Sequence, residues 1–213
     1  MVAAGEMLAG GMSLAFAHIG DKVRRMRRAL HTHLQPKVAG EYEPLQMSEA
    51  KNMVLNILDD PSNFRNHTVT YAATTIMKIA YGKNTPTAAT DPEVIEVHRL
   101  IAMSRTIMSS GTYLVESIPW LKYLPWYGRE LKRGYESIKQ LNTNQLNHVK
   151  QQMQSNVDIG PSFAKYVLEN GHRYGMSRLT ELEMASLAGT FFSSGSGFYG
   201  DRHGADGSRV FPR

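Results

Sequence analysis

Cysteine is absent from the 213 residues. Its absence excludes disulfides, thiolate zinc sites and iron–sulfur clusters, and any thiolate ligand to a metal would have to come from outside these residues. Long apolar runs are missing as well. No stretch approaches the roughly 18 consecutive apolar residues that a membrane-spanning helix needs. The opening, Met1 to Gly20, is apolar but broken by glycine and lacks a basic start, so it does not read as a signal peptide. Strand-like alternation is nearly absent, and no G-x-S-x-G, H-E-x-x-H or calcium-loop pattern occurs. His31 and His33 stand two apart, so on a helix they diverge and cannot share a metal ion.

Helical periodicity is what remains. Ala50, Met53, Val54, Ile57 and Leu58 recur at three- and four-residue spacing and stop before Pro61. Val69, Ala72, Ala73, Ile76 and Ala80 repeat the pattern, with Gly82 placed as a C-terminal cap. Asp91-Pro92-Glu93 reads as a helix start with an aspartate cap, followed by Val94, Val97, Ile101 and Met108. Leu131, Tyr135, Ile138, Leu146, Val149 and Met153 mark a long helix with a polar back. A last helix opens near Ser177 or Thr180, where Thr180 and Glu183 have capping-box spacing, and turns Leu179, Leu182, Ala185 and Phe192 inward. The fold class this predicts is all-α.

Gly111 to Gly128 separates two of these helices and holds both tryptophans, Trp120 and Trp126, among prolines. Such a loop packs on its own domain or touches a membrane or a substrate, and internal packing is the commoner outcome for aromatic residues. From Gly197 to Arg213 the composition changes to glycine-rich sequence without a helical period. Residues 197–213 are expected to form a divergent, disordered tail.

Charge is nearly balanced except in one place. Residues 21–28 hold Lys22, Arg24, Arg25, Arg27 and Arg28 against Asp21 alone, which leaves 19 basic and 18 acidic residues elsewhere. On a helix Arg24 and Arg28 share a face, and Arg27 falls on the Val23 side, nearer the apolar stripe. A guanidinium so placed holds carboxylate or phosphate with two hydrogen bonds. Read from the residues alone, this is a solvated basic face or the anion-binding face of an α-helical module whose partner could be nucleic acid. No second basic helix and no aromatic stacking platform accompanies it, so nucleic acid is not the expected partner.

Gly20-Asp21-Lys22-Val23-Arg24-Arg25-Met26-Arg27-Arg28-Ala29-Leu30-His31 resembles the C-helix of fungal cytochrome P450 monooxygenases of the basidiomycete type, G-D-x-W-R-R-M-R-R-A-L-H. Ala188-Gly189-Thr190-Phe191-Phe192-Ser193-Ser194-Gly195-Ser196 resembles the start of their I-helix, A-G-x-x-x-x-A-G-S-D-T-T. Residues 81–86, 91–94 and 119–130 are similar to the segments between. The resemblance covers 1–196 and implies a partial P450 domain, from the B′–C region to the early I-helix of a longer enzyme. The N-terminal anchor and first sheet, the E-x-x-R motif and the cysteine loop do not appear.

The resemblance implies a haem-thiolate enzyme that inserts one atom of O2 into an apolar organic substrate. It gives Arg27 a haem propionate, although Val23 replaces the tryptophan of W-x-x-x-R. Ser194 and Gly195 would run beside the haem, and Met12, Phe16, Met108, Tyr113, Phe191 and Phe192 are candidates for the substrate pocket. Lys22, Arg24, Arg25 and Arg28 would face an electron donor of the NADPH-cytochrome P450 reductase type. The acid–alcohol pair of the I-helix is replaced by Gly197 and Phe198, so no catalytic residue is assigned. Without a cysteine the chain by itself is expected to be inactive, with no metal ligand of its own. The parent enzyme is expected at the endoplasmic reticulum membrane, with 118–126 able to make peripheral contact with lipid, and the fragment in the cytoplasm or at a place the sequence does not assign. Cut within its motif, the last helix is expected to lack cover for Leu182, Ala185 and Phe192 and to leave the chain partly folded.

Overall fold

Eight α-helices carry the described residues, and no strand occurs among them. The computed structural model describes residues 1–17, 20–109, 111–155, 160–171 and 179–200, with the backbone alone at Thr32 and 196–200. The helices are α1 (Asp21–Leu34), α2 (Pro36–Glu41), α3 (Glu43–Asp59), α4 (Phe64–Tyr81), α5 (Pro92–Met108), α6 (Arg129–Gln154), α7 (Phe163–Asn170) and α8 (Glu181–Gly200). A π-wound turn, Val2–Leu8, opens the chain, and two short 3-10 turns, Leu114–Glu116 and Pro119–Tyr123, interrupt the aromatic loop. The fold is the all-α one that the periodicity predicts. None of the described helices is long and apolar enough to cross a membrane.

Local chemistry sets the helix ends. Thr180 and Glu183 close a reciprocal capping box: Thr180 N–H donates to Glu183 Oε2 at 2.8 Å, and Glu183 N–H donates to Thr180 Oγ1 at 3.2 Å. Gly82 ends α4 at φ 72°, a left-handed conformation that costs glycine little, and its N–H reaches the Lys78 carbonyl at 2.9 Å. Asp91 starts α5 differently from the expectation. Its backbone carbonyl accepts from Val94 and Ile95, each at 3.0 Å, while its carboxylate lies 3.5 Å from Lys83 and caps nothing. The nearby Lys83 ammonium, bonded also to Glu93 at 2.9 Å, draws the carboxylate away from the helix end. Helices α2 and α7 were not signalled by periodicity, being only six and eight residues long.

The main core forms around α8, which packs against α4, α5, α6, α7 and α1. Phe192, Leu187, Ala188 and Ala185 of α8 are shut from solvent among Met77 and Ala80 of α4, Val149 of α6, Phe163 and Val167 of α7, and Met26 and Ala29 of α1. Burying one such large side chain contributes about 1.5–3 kcal/mol. Ala185 and Phe192 are thus covered within this chain, contrary to the expectation that they lack partners. Gly189 lets α8 approach α6, since a side-chain carbon there would run into the amide of Asn142. A smaller core joins Ala3, Ala4, Met7 and Leu8 to Ile107, Val115, Leu121 and Leu131. Glu116 pins that opening turn by accepting from the N–H of Val2 at 3.0 Å and of Ala3 at 2.9 Å.

The apolar stripe expected on α3 is not a buried one. Val54 and Leu58 stand exposed, and no residue of α3 is buried. Backbone helix continues through Gly200, and 201–213, the greater part of the expected tail, lie outside the described residues.

Candidate functional site

One stripe of α8 does not join the core. Leu182, Ser186, Gly189, Thr190 and Ser193 recur at helical spacing and face a cavity of about 340 Å³. Across it stand Val97, Leu100, Ile101 and Met108 of α5, and Tyr135, Ile138 and Asn142 of α6. The loop after the opening turn closes a further side with Ala9, Met12, Ser13 and Phe16. A cavity of this size, mostly apolar with few polar groups, suits a small organic molecule. Hydroxyls in its wall are partly committed to their own helices: Thr190 Oγ1 donates to Ser186 O at 2.8 Å, and Ser104 Oγ to Leu100 O at 2.8 Å. Among the described residues no cluster of three His, Asp or Glu side chains could hold a metal ion.

The structure brings together Met12, Phe16, Met108 and Ser194 on this cavity. Tyr113, Phe191 and Phe192 are not on it. Phe191 and Phe192 follow Thr190 by one and two residues, and rotation of about 100° per residue carries them to other faces of α8. Phe191 lies 4.6 Å from the Phe163 ring, and Phe192 lies edge-on to Tyr81 at 6.5 Å. Tyr113 packs on the smaller core, where burial and then the carboxylate of Glu130 push its hydroxyl up to about 12. Gly195 aims its vacant side at Ile76 of α4, so it serves the α4–α8 contact.

The cationic helix divides. Arg24 and Arg28 are exposed, and the Arg24–Asp21 pair at 3.4 Å is open to water and contributes little. Arg27 is exposed too, although its spacing placed it nearer the buried stripe; Val23, Met26 and Leu30 fill that stripe without it. Lys22 and Arg25 turn inward. Lys22 Nζ donates to the Gly11 carbonyl at 2.8 Å, and Arg25 reaches Glu183 at 3.3 Å. Glu183 is 5% exposed, and the same carboxylate caps α8, so one acid ties α1 to the start of the helix that lines the cavity.

The aromatic loop also divides. Leu121 is buried and anchors it, whereas Trp120 and Trp126 are 60% and 61% exposed and Tyr123 is 77% exposed. Packing of the indoles inside the domain, the commoner outcome, does not occur here. Residues 119–123 form a 3-10 turn, in which successive residues point about 120° apart, so Leu121 faces inward while Trp120 faces out. Lys122 is bonded to Glu6 at 2.6 Å, which holds its ammonium in the charged form above the usual lysine range.

The hydroxyl stripe of α8 and the α6 wall were missed in the sequence. Helical spacing alone could have found Ser186, Thr190 and Ser193 as a polar line on an otherwise apolar helix.

Comparison with known proteins agrees with this architecture. The family model described as Cytochrome P450 matches residues 5–197. Cytochrome P450 monooxygenase 113 of Postia placenta is 40% identical over 195 residues, and monooxygenases 88 and 64 of the same fungus are each 38% identical over 195. In all three the match takes in 92% of this chain and 39% of the relative. The chain therefore belongs to the cytochrome P450 family and spans about two fifths of the length of the curated relatives it matches.

Proposed function

We propose that this chain is the substrate-holding part of a haem monooxygenase that adds an oxygen atom to an apolar organic molecule. The observation that carries the reading is the cavity between α5, α6, α8 and the loop at 9–16, walled by the helix that bears the I-helix motif. The residues present fit haem only in part. Arg27 offers an exposed guanidinium suited to a propionate, and Ser194 lines the cavity on α8. The thiolate that pushes electrons onto the iron is not available from a chain with no cysteine. No oxygen-transfer step is therefore assigned to these residues. Their part is to exclude water, orient the substrate and anchor a propionate.

Arg24 and Arg28, exposed on the outer face of α1, support docking of an acidic electron donor of the NADPH-cytochrome P450 reductase type. The exposed ring cluster at Trp120, Tyr123 and Trp126 supports contact of 118–126 with the surface of the endoplasmic reticulum membrane. Since both tryptophans of the chain lie there, their fluorescence reads that contact directly: a blue shift with liposomes is expected, and its absence removes the membrane role.

The decisive experiment transplants residues 5–197 into the matching segment of Postia placenta monooxygenase 113. The hybrid is expected to take up haem with a thiolate-type reduced carbon-monoxide spectrum, and to lose haem content when Arg27 is changed to alanine. A folded hybrid that binds haem normally with or without Arg27, and whose spectrum responds to no apolar ligand, would overturn the proposal. The isolated chain is expected to show no thiolate-type spectrum.

A further inference from the structure

We infer that Thr85 is a phosphorylation site for a proline-directed serine/threonine kinase, and that its phosphate takes Lys83 from Asp91 and Glu93. Of the nine prolines in the chain, Pro86 alone follows a serine or threonine. The dipeptide lies in the connection between α4 and α5, where Asn84, Thr85 and Pro86 are all exposed. A proline at 86 disfavours helical backbone at Thr85 and biases it toward extended chain. Extended, reachable chain is what a kinase cleft accepts.

The connection presents this threonine and withholds the next one. Thr87 is 0% exposed; its N–H donates to Thr74 Oγ1 at 3.0 Å, and its carbonyl accepts from the same hydroxyl at 3.1 Å. Ala89 N–H donates to Thr70 Oγ1 at 3.1 Å, so the second half of the connection is fastened along α4. Gly82 fixes the first end, with its N–H on the Lys78 carbonyl at 2.9 Å. Between these fixings, Asn84 and Thr85 form no backbone hydrogen bond among the described residues. A kinase can therefore take up 84–86 without opening the core.

In the transfer, Thr85 Oγ1 attacks the γ-phosphorus of ATP, and the bond from that phosphorus to the bridging oxygen breaks. ADP leaves with the electron pair, and the hydroxyl proton passes to the kinase's aspartate. Lys83 then decides what the phosphate does. Its ammonium lies 2.9 Å from Glu93 and 3.5 Å from Asp91, so one cation serves two acids at the start of α5. Residues two apart in extended chain share a side, which brings a phosphate on Thr85 within reach of that ammonium. The phosphate carries about −1.5 to −2 of charge at neutral pH, competes for Lys83 and repels both acids. Since α5 carries Val97, Leu100 and Ile101 of the cavity wall, the modification acts on the cavity from outside it.

The test treats the purified chain, helical by circular dichroism, with a mitogen-activated protein kinase and magnesium ATP, and maps phosphate by mass spectrometry. Phosphate is expected at Thr85, and Thr85→Ala and Pro86→Ala should each abolish it there. Phosphorus NMR then follows the second ionisation of the bound phosphate. It should fall roughly half a pH unit lower in the unaltered chain than in Lys83→Gln, the size that a partly exposed ion pair supplies. Lys83→Arg should keep the lower value. A helical chain that takes up no phosphate, or takes it elsewhere and leaves Thr85 bare, overturns the site. Phosphate at Thr85 with the same ionisation in Lys83→Gln overturns the capture of Lys83 and upholds the site.

Discussion

Helices α3 and α4 pack against each other, differ by one residue in length, and are treated by the fold in opposite ways. Among its 17 residues α3 buries none, and leaves Val54, Leu55 and Leu58 more than half exposed. Among its 18 residues α4 buries nine, two of them threonines. Hydropathy does not explain the contrast; position does. α4 lies between α3 and α8 and touches α6 and α7 as well, so most of its surface is covered. α3 has α4 on one side and only the short α2 and the turn at 61–63 beside it. Burial in this fold follows a helix's place in the layers: of the two threonines covered in α4, Thr74 is bonded to the backbone of Thr87, while the Thr75 hydroxyl is buried without a hydrogen-bond partner.

The sharpest way to test the covered layer is to empty it where α8 meets α4. Phe192 is 1% exposed and lies edge-on to the wholly buried Tyr81. Phe192→Ala removes the ring and leaves a cavity that a helix packed on several sides cannot close. The expected loss is about 3–5 kcal/mol of unfolding free energy, read from urea denaturation followed by circular dichroism. A loss below about 1 kcal/mol would mean that α8 is not the centre of the core.

Next in size is the polar contact inside α4. Thr74 Oγ1 donates to the Thr87 carbonyl at 3.1 Å and accepts from the Thr87 N–H at 3.0 Å. Both groups are buried, and the pair fastens the segment before α5 to α4. Thr74→Val keeps the shape and strands a buried N–H and a buried carbonyl, which costs about 1–3 kcal/mol. Amide hydrogen exchange at Thr87 should quicken in the same variant, since its acceptor is gone.

The same contrast explains what could be read in advance. The courses of α4, α5, α6 and α8 were legible, because each has two or more turns of apolar spacing and a terminal signal such as Gly82, Pro92 or the Thr180–Glu183 pair. The side of α3 that would face inward was not, because Val54 and Leu58 look the same to periodicity whether or not another layer lies over them. Met12, Phe16 and Met108, expected in a substrate pocket from the family resemblance, line the cavity, and Ser194, expected beside the haem, lines it too. Phe191 and Phe192, named through the same resemblance, fall off the cavity because about 100° per residue carries them to the core.

A smaller effect tests α1, which shows both behaviours on one helix. Its cationic side faces water, and His33 on the other side lies against Phe163 at 5.2 Å and Tyr166 at 4.5 Å. Burial lowers the His33 pKa from 6.5, with the charge of Glu41 opposing, and Nδ1 is buried without a hydrogen-bond partner. The folded state then binds fewer protons than the unfolded one. Stability from this site is complete above about 6.5 and declines as pH falls through that value toward the lower folded pKa. His33→Phe should retain the ring contacts and flatten the fall in melting temperature between neutral and mildly acidic pH. An unchanged slope would assign the pH dependence to other groups.

The smallest change in stability is expected at the most exposed leucine among the described residues. Leu58 is 71% exposed on α3, and Leu55 beside it is 59% exposed. A leucine already in water has little burial to lose, so Leu58→Lys should shift unfolding free energy by no more than about 0.5 kcal/mol. Lysine propagates a helix about as well as leucine, so the backbone gives no reason for a larger effect. Association is another matter, because Val54, Leu55 and Leu58 form one apolar strip along consecutive turns. Light scattering at rising protein concentration should show less self-association in Leu58→Lys than in the unaltered chain. Should the substitution cost as much as Thr74→Val, α3 would have to be covered by a layer as α4 is, and the contrast between the two helices would not hold.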